Sequence, residues 1–337
     1  MNVYQGHRAP ATAGGRSSCG KAGPDRRSKF DQPPAAAAGA IGLASASDRG
    51  NIEGGLAAFS SLVAAMDVEI LIRTSAFALV FAAMAAWEVV APRRALTAGR
   101  KARWPSNLGM VVVDVLAVRV LVPTAAVGAA LYAAGRGFGL FHLAGFRLSV
   151  AAVLGFLVLD LTIYAQHVVF HKVPALWRLH RMHHADLDID VTTGLRFHPF
   201  EILISLGVKI AIVIAFGIPV VAVLLFEVVL NATSIFNHAN VAMPAALDRV
   251  LRLVLVTPDM HRVHHSIVRR ETDSNFGFNL PWWDRLFGTY RAAPQAGHEG
   301  ITIGLPIFRD PKELRLDRLL TQPFRDDAVP GTKDRDH

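Results

Sequence analysis

Long apolar segments most constrain what this chain can fold into. Three of them, at about 70–90, 108–134 and 148–170, each approach the roughly 20 apolar residues that cross a bilayer core. A fourth, 202–235, is too long for one ordinary span and is broken near its middle by Gly217 and Pro219. This break predicts a helical hairpin with short arms, which enters the membrane without necessarily crossing it. The sequence therefore predicts polytopic membrane helices.

Composition agrees with a membrane protein. Hydrophobic residues make up 52% of the chain and charged residues 18%, below the roughly 25% of soluble domains. The formal charge of +8 is explained by basic residues that flank spans, and no basic stripe with interleaved aromatic residues indicates nucleic-acid binding. Because Cys19 is the single cysteine, an intrachain disulfide and a multi-thiolate metal site are excluded.

Four regions follow from this pattern. Residues 1–65 are rich in Gly, Ala, Pro, Ser and Arg and are predicted to be a disordered extension, with Met66 as an alternative translation start. Residues 66–147 hold the first two transmembrane helices and their loops, residues 148–310 hold the third span, the hairpin and the histidine motifs, and residues 311–337 form a C-terminal tail.

Basic residues after the first span predict the orientation. They lie between residues 93 and 103 and place this loop in the cytoplasm; they are Arg93, Arg94, Arg100, Lys101 and Arg103. Counting the spans from there puts every histidine cluster on the cytoplasmic face.

Ten of the fourteen histidines lie between residues 167 and 265. They form an H-x3-H motif, two H-x2-H-H motifs and two single positions: His167, His171, His180, His183, His184, His198, His238, His261, His264 and His265. On a helix, residues three or four apart share a face, so each cluster aims two or three imidazoles at one point. Imidazole is a ligand for iron, zinc, copper and nickel, and the pattern predicts a metal site. His198 and His238 lie at the predicted ends of the hairpin, near the same face.

The number of imidazoles predicts two metals. Eight or more exceed the ligands of one metal, since a tetrahedral zinc takes four. A redox-inert pair such as two zinc ions would serve hydrolysis, whereas all-nitrogen ligation near lipid favours an oxygen-activating iron pair.

Asp160 and Tyr164 share one helical stripe with His167 and His171. An aspartate inside a span is by default a functional hypothesis. Asp160 is expected either to hydrogen-bond a ligand imidazole and fix its tautomer, or to pair with a polar group of a neighbouring helix.

At these residues the chain resembles the fatty acid hydroxylase/sterol desaturase superfamily, and the bacterial members in particular. The resemblance is carried by His167-Val-Val-Phe-His171, His180-Arg-Met-His183-His184 and His261-Arg-Val-His264-His265. It extends to Thr-Thr-Gly-Leu-Arg-Phe-His-Pro-Phe-Glu at 192–201, Asn-Phe-Gly at 275–277 and Trp-Asp-Arg-Leu-Phe-Gly-Thr-Tyr at 283–290.

The resemblance implies an all-α membrane enzyme whose cytosolic helical cap holds two Fe ions. Such an enzyme uses O2 as co-substrate to hydroxylate or desaturate a lipid. No cytochrome b5-like segment is recognisable, so a separate electron donor of the cytochrome b5, ferredoxin or reductase type is expected. The expected location is the bacterial inner membrane, with the metal site on the cytoplasmic face.

Two other classes of protein stay open at this point. One is a non-redox membrane hydrolase, isomerase or lyase, because imidazole ligands do not reveal the metal. The other is a metal transporter, which would need polar ligands along its spans; there the main acidic candidates are Asp160 and Glu227.

Overall fold

The computed structural model describes the backbone of residues 46–326 and the side chains of residues 68–326. Over this range the predicted all-α fold is confirmed: it contains no β-strand, only isolated bridges at Pro92–Val241 and Ser266–Ile303. The first eight helices are α1 (Ala46–Val90), α2 (Arg100–Leu121), α3 (Ala125–Arg136), α4 (Leu140–Leu143), α5 (Leu148–Lys172), α6 (Pro174–His184), α7 (Pro199–Phe216) and α8 (Val220–His238). Six shorter ones follow: α9 (Ala245–Leu251), α10 (Pro258–His264), α11 (Arg269–Thr272), α12 (Trp282–Leu286), α13 (Gly297–Gly300) and α14 (Leu316–Thr321).

Five helical segments are long and apolar enough to cross a membrane: Val68–Val90, Arg100–Leu143, Leu148–Lys172, Pro199–Phe216 and Val220–His238. They include the predicted first and third spans and both arms of the predicted hairpin. Their outward faces carry apolar side chains such as Leu79, Val120 and Val153, which are 72%, 77% and 62% exposed. Such large apolar surfaces are typical of helices in contact with lipid.

The predicted second span, 108–134, is not one continuous helix. Helix α2 ends at Leu121 and α3 begins at Ala125, with Pro123 between them. Proline has no backbone N–H and its ring disfavours a helical conformation in the preceding residue, which explains the break.

The turn of the α7–α8 hairpin contacts the loop between α3 and α4. Gly217, at its turn, lies so close to Gly139 that a Cβ on Gly139 would be 2.2 Å from the Gly217 nitrogen. Both glycines have positive φ, +106° for Gly139 and +66° for Gly217, a region that L side chains rarely adopt. The arms therefore extend to the end of the bundle opposite the histidines, although the sequence suggested that they were short.

The core of this bundle lies between α3, α5, α7 and α8. Small residues on α3, among them Ala126, Ala129 and Ala130, are buried together with Leu159 of α5 and Phe226 of α8. Small side chains allow helices to approach closely in a membrane, where van der Waals packing drives their association.

The first turn of α2, directly after the α1–α2 loop, is attached to the segment that follows α6. Arg103 is fully buried and donates to Asp186 at 2.7 and 2.8 Å and to Asp190 at 2.6 Å. Burial opposes ionisation of Asp186, but the charges of Arg103 and Arg196 outweigh it and lower its pKa to about 2. The basic loop and the histidine-bearing segments thus lie at the same end of the helices. Arg103 is an internal ion-pair partner, so it is not one of the solvated charges that the orientation argument counted.

Part of the predicted C-terminal tail is folded. Residues 311–326 include the 3-10 turns Pro311–Leu314 and Gln322–Phe324 and helix α14. Leu319 is fully buried against Met110 and Met182, which fastens this segment to α2 and α6.

At the other terminus, α1 already begins at Ala46, within the segment 1–65 for which disorder was predicted. The prediction for residues 1–45, including Cys19, lies outside the described residues, as does that for residues 327–337.

Candidate metal centre

Nine of the ten predicted histidines come together in two groups. Within each group, one ring nitrogen per histidine lies within 4.8 Å of those of the others. Group A consists of His167, His171, His180, His184 and His264, and group B consists of His183, His238, His261 and His265. The groups adjoin, since the ring centroids of His184 and His265 are 4.6 Å apart.

The two H-x2-H-H motifs divide between the groups in opposite ways. On α6, the i, i+4 pair His180 and His184 belongs to group A, and His183 turns to group B. At α10, the i, i+4 pair His261 and His265 belongs to group B, and His264 turns to group A. Each motif therefore contributes to two points rather than one, which spacing alone did not reveal.

All nine imidazoles are buried, with at most 4% of any residue exposed. Among those outside the membrane segments, burial lowers the pKa of His264 to about 3. It also holds the pKa values of His183, His184, His261 and His265 well below the ordinary value of 6.5. These rings are consequently neutral at physiological pH, the form in which imidazole binds metals.

Outward-facing groups orient the rings. Backbone carbonyls lie at hydrogen-bond distance from Nδ1 of four histidines: Phe276 O for His167 (2.8 Å), Ser274 O for His264 (2.7 Å), Ser234 O for His238 (2.7 Å) and Arg196 O for His183 (3.2 Å). For His180, the Nδ1 partner is the Glu201 carboxylate, whose Oε1 lies 2.7 Å away. Because carbonyl and carboxylate oxygens only accept, each Nδ1 carries the proton and each Nε2 keeps a free lone pair.

Those lone pairs face one another. In group A, Nε2 of His167 lies 3.0 Å from Nε2 of His180. In group B, Nε2 of His238 lies 3.2 Å from that of His183. Two unprotonated nitrogens at such a distance cannot form a hydrogen bond, and they repel unless a cation lies between them. The donor set therefore fits a metal ion in each group, with the Nδ1 partners fixing each tautomer as is usual around metal-bound histidine.

His198 does not belong to either group. Its Nδ1 accepts from the backbone N–H of Phe200 at 3.3 Å, capping the N-terminus of α7, and its Nε2 donates to Leu320 O at 3.2 Å. His198 precedes Pro199, the first residue of α7, and so occupies the N-cap position of that helix. From there its side chain points towards the C-terminal segment.

Asp160 and Tyr164 do not hydrogen-bond an imidazole. Asp160 accepts from Nε1 of Trp283 at 2.8 Å, and the Tyr164 hydroxyl lies 2.9 Å from Oγ1 of Thr289. The second of the two expectations for Asp160, a polar partner on a neighbouring element, is the one that the geometry supports. Both side chains anchor the segment that follows the last histidine motif.

Sequence reasoning gave no role to Asp284, which organises this segment. Its carboxylate accepts from the backbone N–H groups of Phe276 and Gly277, both at 2.8 Å, and from the Thr289 hydroxyl at 2.6 Å. Asp284 thereby holds the Phe276 carbonyl against His167. In the sequence, only its place in the Trp-Asp-Arg motif indicated that Asp284 could have a role.

An apolar cavity of about 440 Å³ adjoins group A. It runs between α1, α2, α5, α7 and α8, and its wall includes the imidazoles of His167 and His180 together with Phe170, Phe197 and Phe278. A long apolar molecule could lie in it with one carbon against the metal-facing side of group A.

Comparison with known proteins identifies the same region. Residues 152–289 match the sequence profile of the family described as Fatty acid hydroxylase. The chain is 31% identical over 156 residues to ornithine lipid hydroxylase OlsE of Rhizobium tropici, which is 46% of each chain. It is 30% identical over 179 residues to human alkylglycerol monooxygenase, covering 52% of this chain and 38% of that protein. It is 27% identical over 142 residues to cholesterol 25-hydroxylase of Rattus norvegicus, covering 42% and 46%.

These alignments span less than half the length of each relative. No solved structure gives a significant match to this chain. The family profile covers all nine clustered histidines, the hairpin between the motifs and the single His198. The comparisons therefore support the resemblance of residues 152–289 to the fatty acid hydroxylase/sterol desaturase superfamily.

Proposed function

We propose that this protein hydroxylates a lipid, using O2 and two iron ions held by the nine histidines of groups A and B. The opposed Nε2 lone pairs of His167 and His180 at 3.0 Å, and of His183 and His238 at 3.2 Å, carry this proposal, because a cation between them would relieve their repulsion. The first pair lies in the wall of the apolar cavity. Five nitrogen donors in group A and four in group B fit one metal each.

Iron is proposed because the relatives are named hydroxylases and a monooxygenase. Two bound irons would supply the reduction of O2 and the oxidation of an unactivated C–H bond. Zinc would bind the same imidazoles but supplies no redox chemistry, so its presence would indicate replacement or a non-redox function.

The contribution of the chain is to hold the ligands and the substrate rigidly. The carbonyls of Phe276, Ser274 and Ser234 and the Glu201 carboxylate fix ring orientation. The phenyl rings of the cavity wall exclude water from the reacting carbon, which protects the oxidant from side reactions. Whether the outcome is an alcohol or an alkene depends on where the substrate carbon is held, and the relatives' names favour hydroxylation.

A lipid substrate is supported by the apolar cavity and by its position among helices that are suited to a membrane. We propose a bacterial inner-membrane location with the metal centre on the cytoplasmic face, where an electron donor of the cytochrome b5, ferredoxin or reductase type would reach it. The basic loop after α1, at the same end as the histidines, supports this orientation.

Comparative lipid mass spectrometry tests the function. Lipids from a host that expresses the protein are compared with those from a host that expresses His183→Ala. A lipid that gains the mass of one oxygen atom only with the wild-type protein supports hydroxylation, and loss of two hydrogens would indicate desaturation instead. Unchanged lipids, with metal and electron donor both present, would contradict the proposal.

A further inference from the structure

Three oxygen atoms in the wall of the cavity have no hydrogen-bond partner among the described residues. They are Oδ1 of Asp114 on α2, Oε2 of Glu201 on α7 and Oε1 of Gln166 on α5. Asp114 and Glu201 are only 9% and 5% exposed. Leaving a buried polar group unpaired costs about 1–3 kcal/mol, more if it is charged, so three around one cavity are unlike ordinary packing.

One of these acceptors, Glu201, lies close to the metal centre. The other oxygen of Glu201 accepts from Nδ1 of His180, whose Nε2 faces into group A. Glu201 is therefore separated from the metal position by a single imidazole ring. A substrate group bound there would lie only a few bonds from the carbon that is oxidised.

The charged donor in the cavity wall is already engaged. Arg73 pairs with Glu69 and with Glu227, and Glu227 also accepts from Lys209 at 2.6 Å. Among the described residues that line it, the cavity thus offers acceptors near group A and no free cation for an anionic headgroup. A carboxylate or phosphate there would face two carboxyl groups, which disfavours a free fatty acid.

A hydroxyl group satisfies these acceptors best. It donates one hydrogen bond and can also accept one from a protonated carboxyl, whereas an ammonium group would be repelled by the cation proposed for group A, one ring away from Glu201. We propose that Asp114, with Glu201 and Gln166, binds the free hydroxyl of a neutral lipid alcohol. This proposal depends on the proposed function in one respect only, namely that the cavity is the substrate site.

Binding of three matched probes tests the proposal without catalysis. 1-Hexadecanol, its methyl ether and hexadecylamine share one chain and differ in the polar end. Each is titrated into purified metal-loaded protein in detergent, without reductant, and affinity is taken from the shift of the unfolding midpoint. Because no turnover occurs, failure of the hydroxylase proposal would not affect this result.

Wild-type protein should bind the alcohol about 10–100-fold more tightly than the ether, as expected for one buried hydrogen bond that the ether, which has no donor, cannot make. In Asp114→Leu this ratio should fall close to one, whereas Leu116→Ala, an exposed position on the same helix, should keep it. Equal binding of alcohol and ether by the wild type, persistence of the ratio in Asp114→Leu, or preference for the amine would each overturn the proposal.

A second measurement separates binding from a structural role. Without ligand, Asp114→Leu should raise the unfolding midpoint by a few degrees, because it removes a buried carboxyl that lacks a partner. A lower midpoint would mean that Asp114 stabilises the fold, which would contradict its assignment as a ligand-binding residue.

Discussion

At the scale of single residues, the metal centre depends on which nitrogen of each histidine carries the proton. His238 shows this most clearly, since its Nδ1 donates to Ser234 O and its Nε2 faces those of His183 and His261. A ring held in this way can bind a cation only through Nε2. His198 uses both nitrogens for hydrogen bonds to the backbone, so it is expected to be dispensable for metal binding.

Substitution of these histidines should separate the two groups. His183→Ala removes one of the four donors of group B, and we expect metal content to fall from about two ions per chain towards one. His198→Ala should keep both ions and lose only about 1 kcal/mol of stability through the weakened helix cap. Metal analysis of the purified variants measures this. Equal losses in the two variants would show that His198 is also a ligand.

The sequence predicted which residue types converge but not how they divide. Residues three or four apart on a helix share a face, which brought His167 to His171 and His180 to His184. The sharing of each H-x2-H-H motif between two groups depends on where α6 and α10 lie relative to α5 and α8. Sequence spacing carries no information about that placement, nor about the partners of Asp160 and Tyr164, which lie more than a hundred residues away.

At the scale of the elements, α8 and the 3-10 turn Thr193–Leu195 must pack closely. A Cβ on Gly194 would lie 2.4 Å from Ser234 O and 3.0 Å from Nδ1 of His238. This is the carbonyl that orients His238, so the absence of a side chain at Gly194 is a requirement of group B.

Gly194→Ala should therefore displace α8 and disturb group B. We expect a loss of about 1–3 kcal/mol from overpacking, together with lower metal content. Gly207→Ala is the matched control, because a Cβ there meets nothing within 4 Å and alanine favours the helix by about 0.5–1 kcal/mol. Thermal unfolding and metal analysis of both variants test this; unchanged metal content in Gly194→Ala would refute the requirement.

The buried Arg103 network fixes the segment between α6 and α7. Arg103→Met would leave Asp186 and Asp190 buried without their main cationic partner, and we expect a loss of about 3–5 kcal/mol. Lys101→Met, an exposed position on the same helix, should change stability by less than about 0.5 kcal/mol. Unfolding midpoints of the two proteins compare these effects, and similar midpoints would mean that the network contributes little.

Helix type and order were predictable where apolar runs are long, as for α5 and the α7–α8 hairpin. The break between α2 and α3 was signalled by Pro123 but masked by the apolar residues on both sides. The depth of the hairpin was not predictable, because it is set by the contact of Gly139 with Gly217 across the bundle.

At the scale of the whole molecule, the helices have two distinct ends. The Gly139–Gly217 contact marks one, and the nine histidines mark the other, together with the basic loop and the C-terminal segment. The packing of Leu319 against Met110 was not foreseen, because a short amphipathic segment after a polar stretch gives only a weak signal in the sequence.

Cysteine labelling tests the proposed orientation. In a Cys19→Ser background, Arg136→Cys lies at the exposed end of α3 and Arg269→Cys lies at the histidine end, where its side chain is 71% exposed. A membrane-impermeant maleimide should label the first in intact spheroplasts and the second only after permeabilisation. The reverse pattern would place the metal centre on the outer face.

The central claim is that oxygen from O2 enters a lipid at this metal centre. Membranes that contain the protein, supplied with reductant and electron donor, should be incubated under ¹⁸O2 in ordinary water and the lipids analysed by mass spectrometry. We predict a lipid product that carries one heavy oxygen with the wild-type protein and is absent with His183→Ala. A product whose added oxygen comes from water instead would contradict the account and indicate a hydrolytic enzyme.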